Sequence, residues 1–290
     1  MPEGDTLHRT AARLRPALEG ATLERFEAPR LLGDRPTPGV GIRTVEAVGK
    51  HLLIHFDDGL TLRTHLGMPG SWHLYRAGER WRKPRHLLRA LVAVPGWEAV
   101  CFSAPTVQTY RPATPGGALG RDLDPIGHLG PDLCVAEPDL DEAVRRFATV
   151  PDPGTEIAVA LLDQRIAAGI GNVYKSEVLH RCRVSPFAPV ADVPEAQRRQ
   201  LLEVAARLLR HNLTTTRRTT VAGPPGSLAV YGRARRPCPV CGTPVRMVRQ
   251  GEQARSTYWC PRCQPPGAVG TSAATAGQPP GSSAVPPGGG

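Results

Sequence analysis

Four cysteines near the carboxyl end constrain the fold more tightly than any other feature of this chain. Cys238-x-x-Cys241 and Cys260-x-x-Cys263 stand eighteen residues apart, a spacing at which two knuckles complete a tetrahedral four-thiolate zinc site. Each C-x-x-C supplies half of the tetrahedron, and Gly242 turns the first knuckle. Two disulfides would instead need an oxidising compartment. Seven cysteines in all, three of them scattered singly, fit a reducing, cytoplasmic interior and a metal site. One structural Zn2+ per chain is expected, held by Cys238, Cys241, Cys260 and Cys263. Four protein ligands leave no open position for water, so the metal builds structure and performs no chemistry. Val245 to Trp259 reads as a β-hairpin turning near Gln250-Gly251, with Arg255 on the return strand where a rigid finger can aim it at a phosphate.

The opposite end carries the chemistry. The chain starts Met1-Pro2-Glu3-Gly4-Asp5-Thr6, and the small Pro2 favours removal of Met1. A terminal proline is a secondary amine whose lone pair is not tied up in an amide, and α-amino groups titrate near about 8. Pro2 is thus a candidate nucleophile for a sugar C1′, by the amine route to covalent catalysis. Glu3 beside it is a carboxyl able to move the protons such a step requires. Asp5 is placed to cap a helix whose apolar face is Leu7, Ala11, Leu14 and Leu18.

Short strand-like runs follow: Ile42 to Val48, Leu52 to Phe56, Leu60 to Leu66, Leu87 to Val94 and Ala99 to Phe102. Asp58-Gly59 joins the second to the third as a hairpin turn. A leading helix on a β-sandwich or flattened barrel is expected. Gly49-Lys50-His51 puts Lys50 at a strand entry facing a cleft. The glycine-flanked Met68, in His65-Leu66-Gly67-Met68-Pro69-Gly70, offers a soft, unbranched side chain for insertion. Helices are expected over Asp141 to Phe147, Thr155 to Ile166, Val173 to Arg181 and from Pro194 onward. Asn172 reads as the cap of the third of these, behind Gly169-Ile170-Gly171. Such an end presents free N–H groups to a phosphate, with Lys175 adding charge in the first turn. Thr214 to Gly226, with Arg217 and Arg218, is a loop able to close over a ligand or to serve as a connector.

A formal charge of +10 points to a polyanionic partner. No apolar run approaches the roughly 20 residues of a membrane span, so no membrane partner is expected.

Four segments in order, Met-Pro-Glu-Gly, Gly-Lys-His, Gly-Ile-Gly-Asn and Ala-Arg-Ser-Thr-Tyr-Trp-Cys-Pro-Arg-Cys-Gln, give the chain a resemblance to the Fpg/Nei family of bifunctional DNA glycosylases, and within it to the endonuclease VIII-like branch. The resemblance covers Pro2 to Gln264. It implies a multidomain α+β protein: an N-terminal helix plus β-sandwich catalytic domain over residues 1–121, a helical helix–two-turn–helix domain over 122–223, and a four-cysteine zinc β-hairpin finger over 224–264. Residues 265–290, almost all Pro, Gly, Ser, Ala and Thr, are expected to form an unstructured tail. The resemblance further implies that Pro2 forms a Schiff base at C1′, that Glu3 protonates the opening sugar, and that Lys50 assists proton transfer. Asn172 and Arg255 would grip phosphates flanking the lesion, Arg255 also assisting δ-elimination, and Met68 would fill the space left by the everted nucleotide.

Damaged DNA is the implied partner, and a monomer the expected state. His128 stands where some relatives carry an arginine that contacts DNA. Ser103-Ala104-Pro105-Thr106-Val107 lacks the Arg-Phe pair of Fpg-type enzymes, and the Thr214 to Gly226 loop is short. Both departures favour oxidised pyrimidines over 8-oxoguanine. The competing readings are an 8-oxoguanine enzyme of the same family and a non-catalytic zinc-finger DNA-binding protein.

Overall fold

The computed structural model describes residues 2–112, 124–147 and 152–267. The expected domain boundary at 121/122 and residues 268–290 of the expected tail lie outside these.

Helix α1 (Gly4–Leu18) lays Leu7, Ala11, Leu14 and Leu18 into the interior, each at most 1% exposed. Behind it stand two antiparallel four-stranded sheets. One runs β2-β3-β4-β8 (Ile42–Val48, His51–Phe56, Thr61–His65, Thr106–Tyr110) and the other β1-β6-β7-β5 (Arg25–Glu27, Leu88–Val94, Trp97–Phe102, Ser71–Arg76). Their facing sides share one apolar core that includes Val45, Leu52, Ile54, Phe56, Leu62, Trp72 and Val92. This is the expected sandwich. Gly59 turns β3 into β4 at φ +83°, while the Asp58 carboxylate takes the N–H of Leu60. A smaller cluster built on Tyr75, Leu91, Val100 and Phe102 covers the outer face of the second sheet.

The helical part holds α2 (Leu140–Phe147), α3 (Ile157–Ala160), α4 (Asn172–Arg181) and α5 (Glu195–His211) around its own core. Three expectations change here. The helix read over Thr155 to Ile166 is only four residues long. Asp163 takes the N–H of Arg165 in an Asx turn and Gln164 lends its carbonyl to Gly130, so that stretch cannot extend a helical ladder. Asn172 does not cap α4: Gly171 holds the cap position and Asn172 is the first helical residue. Asp5 likewise does not cap α1, because its carboxylate is drawn inward to Arg218. Pro194 precedes α5 by one residue.

The finger pairs β9 (Arg246–Gln250) with β10 (Arg255–Trp259) through a turn over residues 251–254. Its β10 edge lies along α4, and every residue from Asn172 to His180 is buried. Among the described residues no helix is long and apolar enough to cross a membrane.

Candidate active site

Glycines bring three segments of the chain together. The N–H of Gly4 donates to the carbonyl of Gly169 at 3.0 Å, and a Cβ at Gly4 would lie 2.8 Å from the Gly169 Cα. A Cβ at Gly49 would meet that of Ala168 at 2.8 Å, and one at Gly171 would strike the Glu3 carboxyl carbon at 2.3 Å. The G-x-G turn is therefore a seat for the chain's own N-terminal segment.

Glu3 fills that seat. Its carboxylate, 0% exposed, accepts N–H bonds from Val173 (2.8 Å), Gly171 (2.9 Å) and Tyr174 (3.4 Å). The free N–H groups expected to hold a phosphate thus hold Glu3, which also matches the positive end of the helix dipole. Burial drives the Glu3 pKa above the usual carboxylate value; the cations of Arg218 and Lys50 and the Val173 N–H oppose the rise without cancelling it. A carboxyl so placed retains a proton to higher pH than an exposed one and can donate it.

Pro2 and Lys50 line a cavity of about 360 Å³ immediately outside Glu3. Burial lowers the Lys50 pKa to about 8; Glu3 counteracts this, and Arg255 and Arg218 add to it. Asn172, Arg255 and Met68 line the same cavity, Met68 with 70% of its surface exposed. Arg255 donates to the Gln253 side chain at the finger's tip. The Asn172 amide nitrogen meets Ser256 Oγ at 3.0 Å, while its Oδ1 is buried without a partner among the described residues. The hydroxyl can donate as well as accept, so a turned amide keeps that bond and aims its N–H groups at the cavity.

Two expected DNA-contact residues are not brought here. Lys175 is 1% exposed, and its ammonium donates to Thr257 Oγ1 (2.7 Å) and the Ser256 carbonyl (3.1 Å). Asn172 and Lys175, three apart on α4, share a face and both reach β10; Lys175, nearly one turn further along, is covered by the strand and braces the finger. Lys175→Met should loosen the finger, seen as faster proteolysis near residues 246–259, yet leave the salt dependence of DNA binding unchanged; a slope reduced by about one would restore the phosphate role. His128 is exposed and lies outside the cavity lining.

Other residues matter that the motifs did not single out for the site. His65 lines the cavity. Its cross-strand neighbour His51 is kept neutral, with a pKa lowered to about 3 by burial and by Arg63. Gln164 spends its amide on the Leu162 and Ile170 carbonyls and the Gly169 N–H, bracing the turn that receives Glu3. Asp132 joins His8 (2.8 Å) to the Gly49 N–H (2.7 Å), fixing the turn that carries Lys50. Arg218 forks onto Asp5 with two bonds of 2.7 Å, and Tyr174 donates to the same carboxylate.

The four finger thiols fit zinc. The Sγ atoms of Cys241 and Cys260 lie 3.4 Å apart, those of Cys241 and Cys263 3.5 Å, and those of Cys238 and Cys263 3.9 Å. A tetrahedron with Zn–S bonds of about 2.3 Å has edges of roughly 3.8 Å. His180 Nε2 stands 3.4 Å from Cys238 Sγ and ties α4 to the metal site.

Known families match this architecture in order along the chain. The formamidopyrimidine-DNA glycosylase N-terminal domain matches residues 1–102, the H2TH domain of the same glycosylase residues 129–222, and the zinc finger found in FPG and IleRS residues 236–266. A probable endonuclease 8 2 of Streptomyces coelicolor is 40% identical over 269 residues, covering 91% of this chain and 94% of that protein. The chain belongs to the Fpg/Nei family. It shares the family's bifunctional glycosylase and abasic-site lyase character. The Mycolicibacterium smegmatis lyase Nei2, named for apurinic or apyrimidinic sites, is 37% identical over 91% of this chain and 99% of its own. The crystal structure of the Thermus thermophilus MutM (Fpg) protein superposes with a TM-score of 0.71 at 28% identity, covering 91% of this chain and 98% of that one.

Proposed function

We propose that this Fpg/Nei protein excises oxidised bases and cleaves the resulting abasic site through an iminium formed by Pro2. The observation that carries this is one cavity lined by Pro2, Lys50 and Gly171, with the buried Glu3 carboxyl held on the Gly171 N–H behind it. With Met1 removed, the Pro2 nitrogen uses its lone pair to bond C1′. The bond from C1′ to the base breaks, and the base leaves with the pair and takes up the proton that the bonded proline nitrogen sheds. Glu3 supplies a proton to the ring oxygen as the sugar opens to the iminium. Loss of a C2′ proton then expels the 3′-phosphate, and a second elimination at the 5′ side releases the other phosphate, with Arg255 at hand in the cavity. A terminal amine reaches C1′ only when the nucleotide leaves the stack, and the exposed Met68 is placed to fill the gap. Affinity for DNA should fall steeply with salt, as phosphate neutralisation demands.

Oxidised pyrimidines are the first choice of lesion. Two loops support this. Only residues 103–105 separate β7 from β8, too few to deliver a second filling pair. Arg218 holds the 214–226 loop against α1, and no residue of that loop lines the cavity. The matching formamidopyrimidine-DNA glycosylase families favour the second reading, an 8-oxoguanine enzyme of the same family.

The test is borohydride trapping on oligonucleotides carrying an abasic site, thymine glycol, dihydrouracil or 8-oxoguanine, beside Pro2→Gly and after checking the N-terminal mass. An adduct lost in the variant supports the amine route, and the trapped lesions choose between the two readings. A processed, zinc-loaded protein that forms no adduct would leave a DNA-binding protein without this chemistry. Trapping at an abasic site should quicken from pH 6 to about 8, because only the neutral amine attacks and Lys50 becomes a proton acceptor near pH 8. A flat profile across that window would remove both amines from the rate-limiting step.

A further inference from the structure

Strand β5 carries a hydrogen-bond chain that the catalytic scheme does not use. Ser71 opens β5 three residues after Met68. Lys83 Nζ stands 2.8 Å from Ser71 Oγ, Ser71 Oγ 3.0 Å from His73 Nε2, and His73 Nδ1 3.2 Å from the Tyr75 hydroxyl, which accepts the Arg82 N–H at 3.0 Å.

The protons of this chain can be assigned by elimination. The Tyr75 hydroxyl belongs to a residue only 2% exposed and already accepts from Arg82. Its own proton needs an acceptor, and His73 Nδ1 is the one within reach. Nε2 of the neutral ring therefore carries hydrogen and donates to Ser71. The ring is kept neutral by burial and by the cations of Lys83, Arg13 and Arg82. Lys83 can only donate, so Ser71 Oγ accepts twice. Its own proton has no acceptor among the described residues, and Lys83 has no carboxylate within ion-pair reach there. The exposed edge of this chain offers the Ser71 hydroxyl and the Lys83 ammonium as donors. Lys83 also borders an open cavity of about 550 Å³ lined by residues 79–85, where the cations of Arg80 and Arg82 are exposed beside the carboxylate of Glu79, which takes the Arg76 N–H at 3.1 Å.

We propose that Ser71 and Lys83 together anchor a backbone phosphate of DNA at the rim beside Met68, a contact additional to Asn172 and Arg255. A phosphodiester is an acceptor-only anion, matched by one polarised hydroxyl and one ammonium. The anchor fixes the strand next to the inserted Met68 side chain. It rests on the reading of DNA as the partner.

The test is binding of full-length, zinc-loaded protein to a duplex bearing a tetrahydrofuran abasic analogue, followed by fluorescence anisotropy over salt from about 50 to about 200 mM. Lys83→Met keeps the stem packed near Phe102 and should lower the slope of log affinity against log salt by about one. Ser71→Ala should weaken binding by about tenfold with the slope unchanged. Arg207→Met, which removes an exposed cation from α5, serves as the control for general charge. Lys83→Met and Ser71→Ala variants that bind as Arg207→Met does would overturn this anchor alone. A wild type that binds no DNA would overturn both the anchor and the assigned partner.

Discussion

Exchanging Glu3 for glutamine should slow strand cleavage at an abasic site by about 10²- to 10⁴-fold and lower stability by about 1–3 kcal/mol. The two effects have one origin. Both carboxylate oxygens accept backbone N–H groups at the start of α4. An amide must turn an NH2 toward one of them, so donor faces donor in a site with no water access. The same exchange removes the titratable proton donor whose pKa burial raises. Single-turnover cleavage and urea unfolding measure the pair. A variant that loses activity at unchanged stability would show that Glu3 is not seated on α4 as described.

Arg218→Ala should be more damaging to the fold, by about 3–5 kcal/mol, because it strands a buried carboxylate. Asp5 is 0% exposed and Arg218 only 15%, and the guanidinium also reaches Thr6 Oγ1 at 2.8 Å and lies 3.9 Å from Glu3. Arg218→Lys keeps the charge but cannot reproduce the two-pronged bond and should recover only part of the loss. Combining Arg218→Ala with Asp5→Asn should cost clearly less than the sum of the two single changes, since neither partner is then left charged and alone. Strict additivity in urea unfolding would mean that the two residues are not coupled as a buried ion pair.

Legibility in the sequence followed the range of each interaction. The four cysteines, the Asp58-Gly59 hairpin and the face of α1 rest on near neighbours and on period, and all three stand where the pattern put them. Pro2, Lys50, Met68, Asn172 and Arg255 come from segments far apart, and motif order was enough to bring them to one cavity. What could not be read was the partner of each polar group. Asp5 looks like a helix cap because its local options are visible and Arg218, 213 residues away, is not. Lys175 looks like a phosphate ligand until β10 is laid along α4. Strands β1, β5 and β8 went unread: β1 has three residues, and the other two carry polar residues at alternate positions that the sheet still accommodates.

The seating of Glu3 has a consequence for the clock of amide hydrogen exchange. The first turn of a helix ordinarily frays, and its N–H groups trade protons with solvent early. Here the Val173 and Tyr174 N–H groups are closed off by a side chain from the other end of the chain. Their deuterium uptake should be as slow as that of the core at Val178 and Leu179, and in Glu3→Gln it should quicken at those two amides first. Two backbone signals would then report whether the acid is in place before DNA arrives.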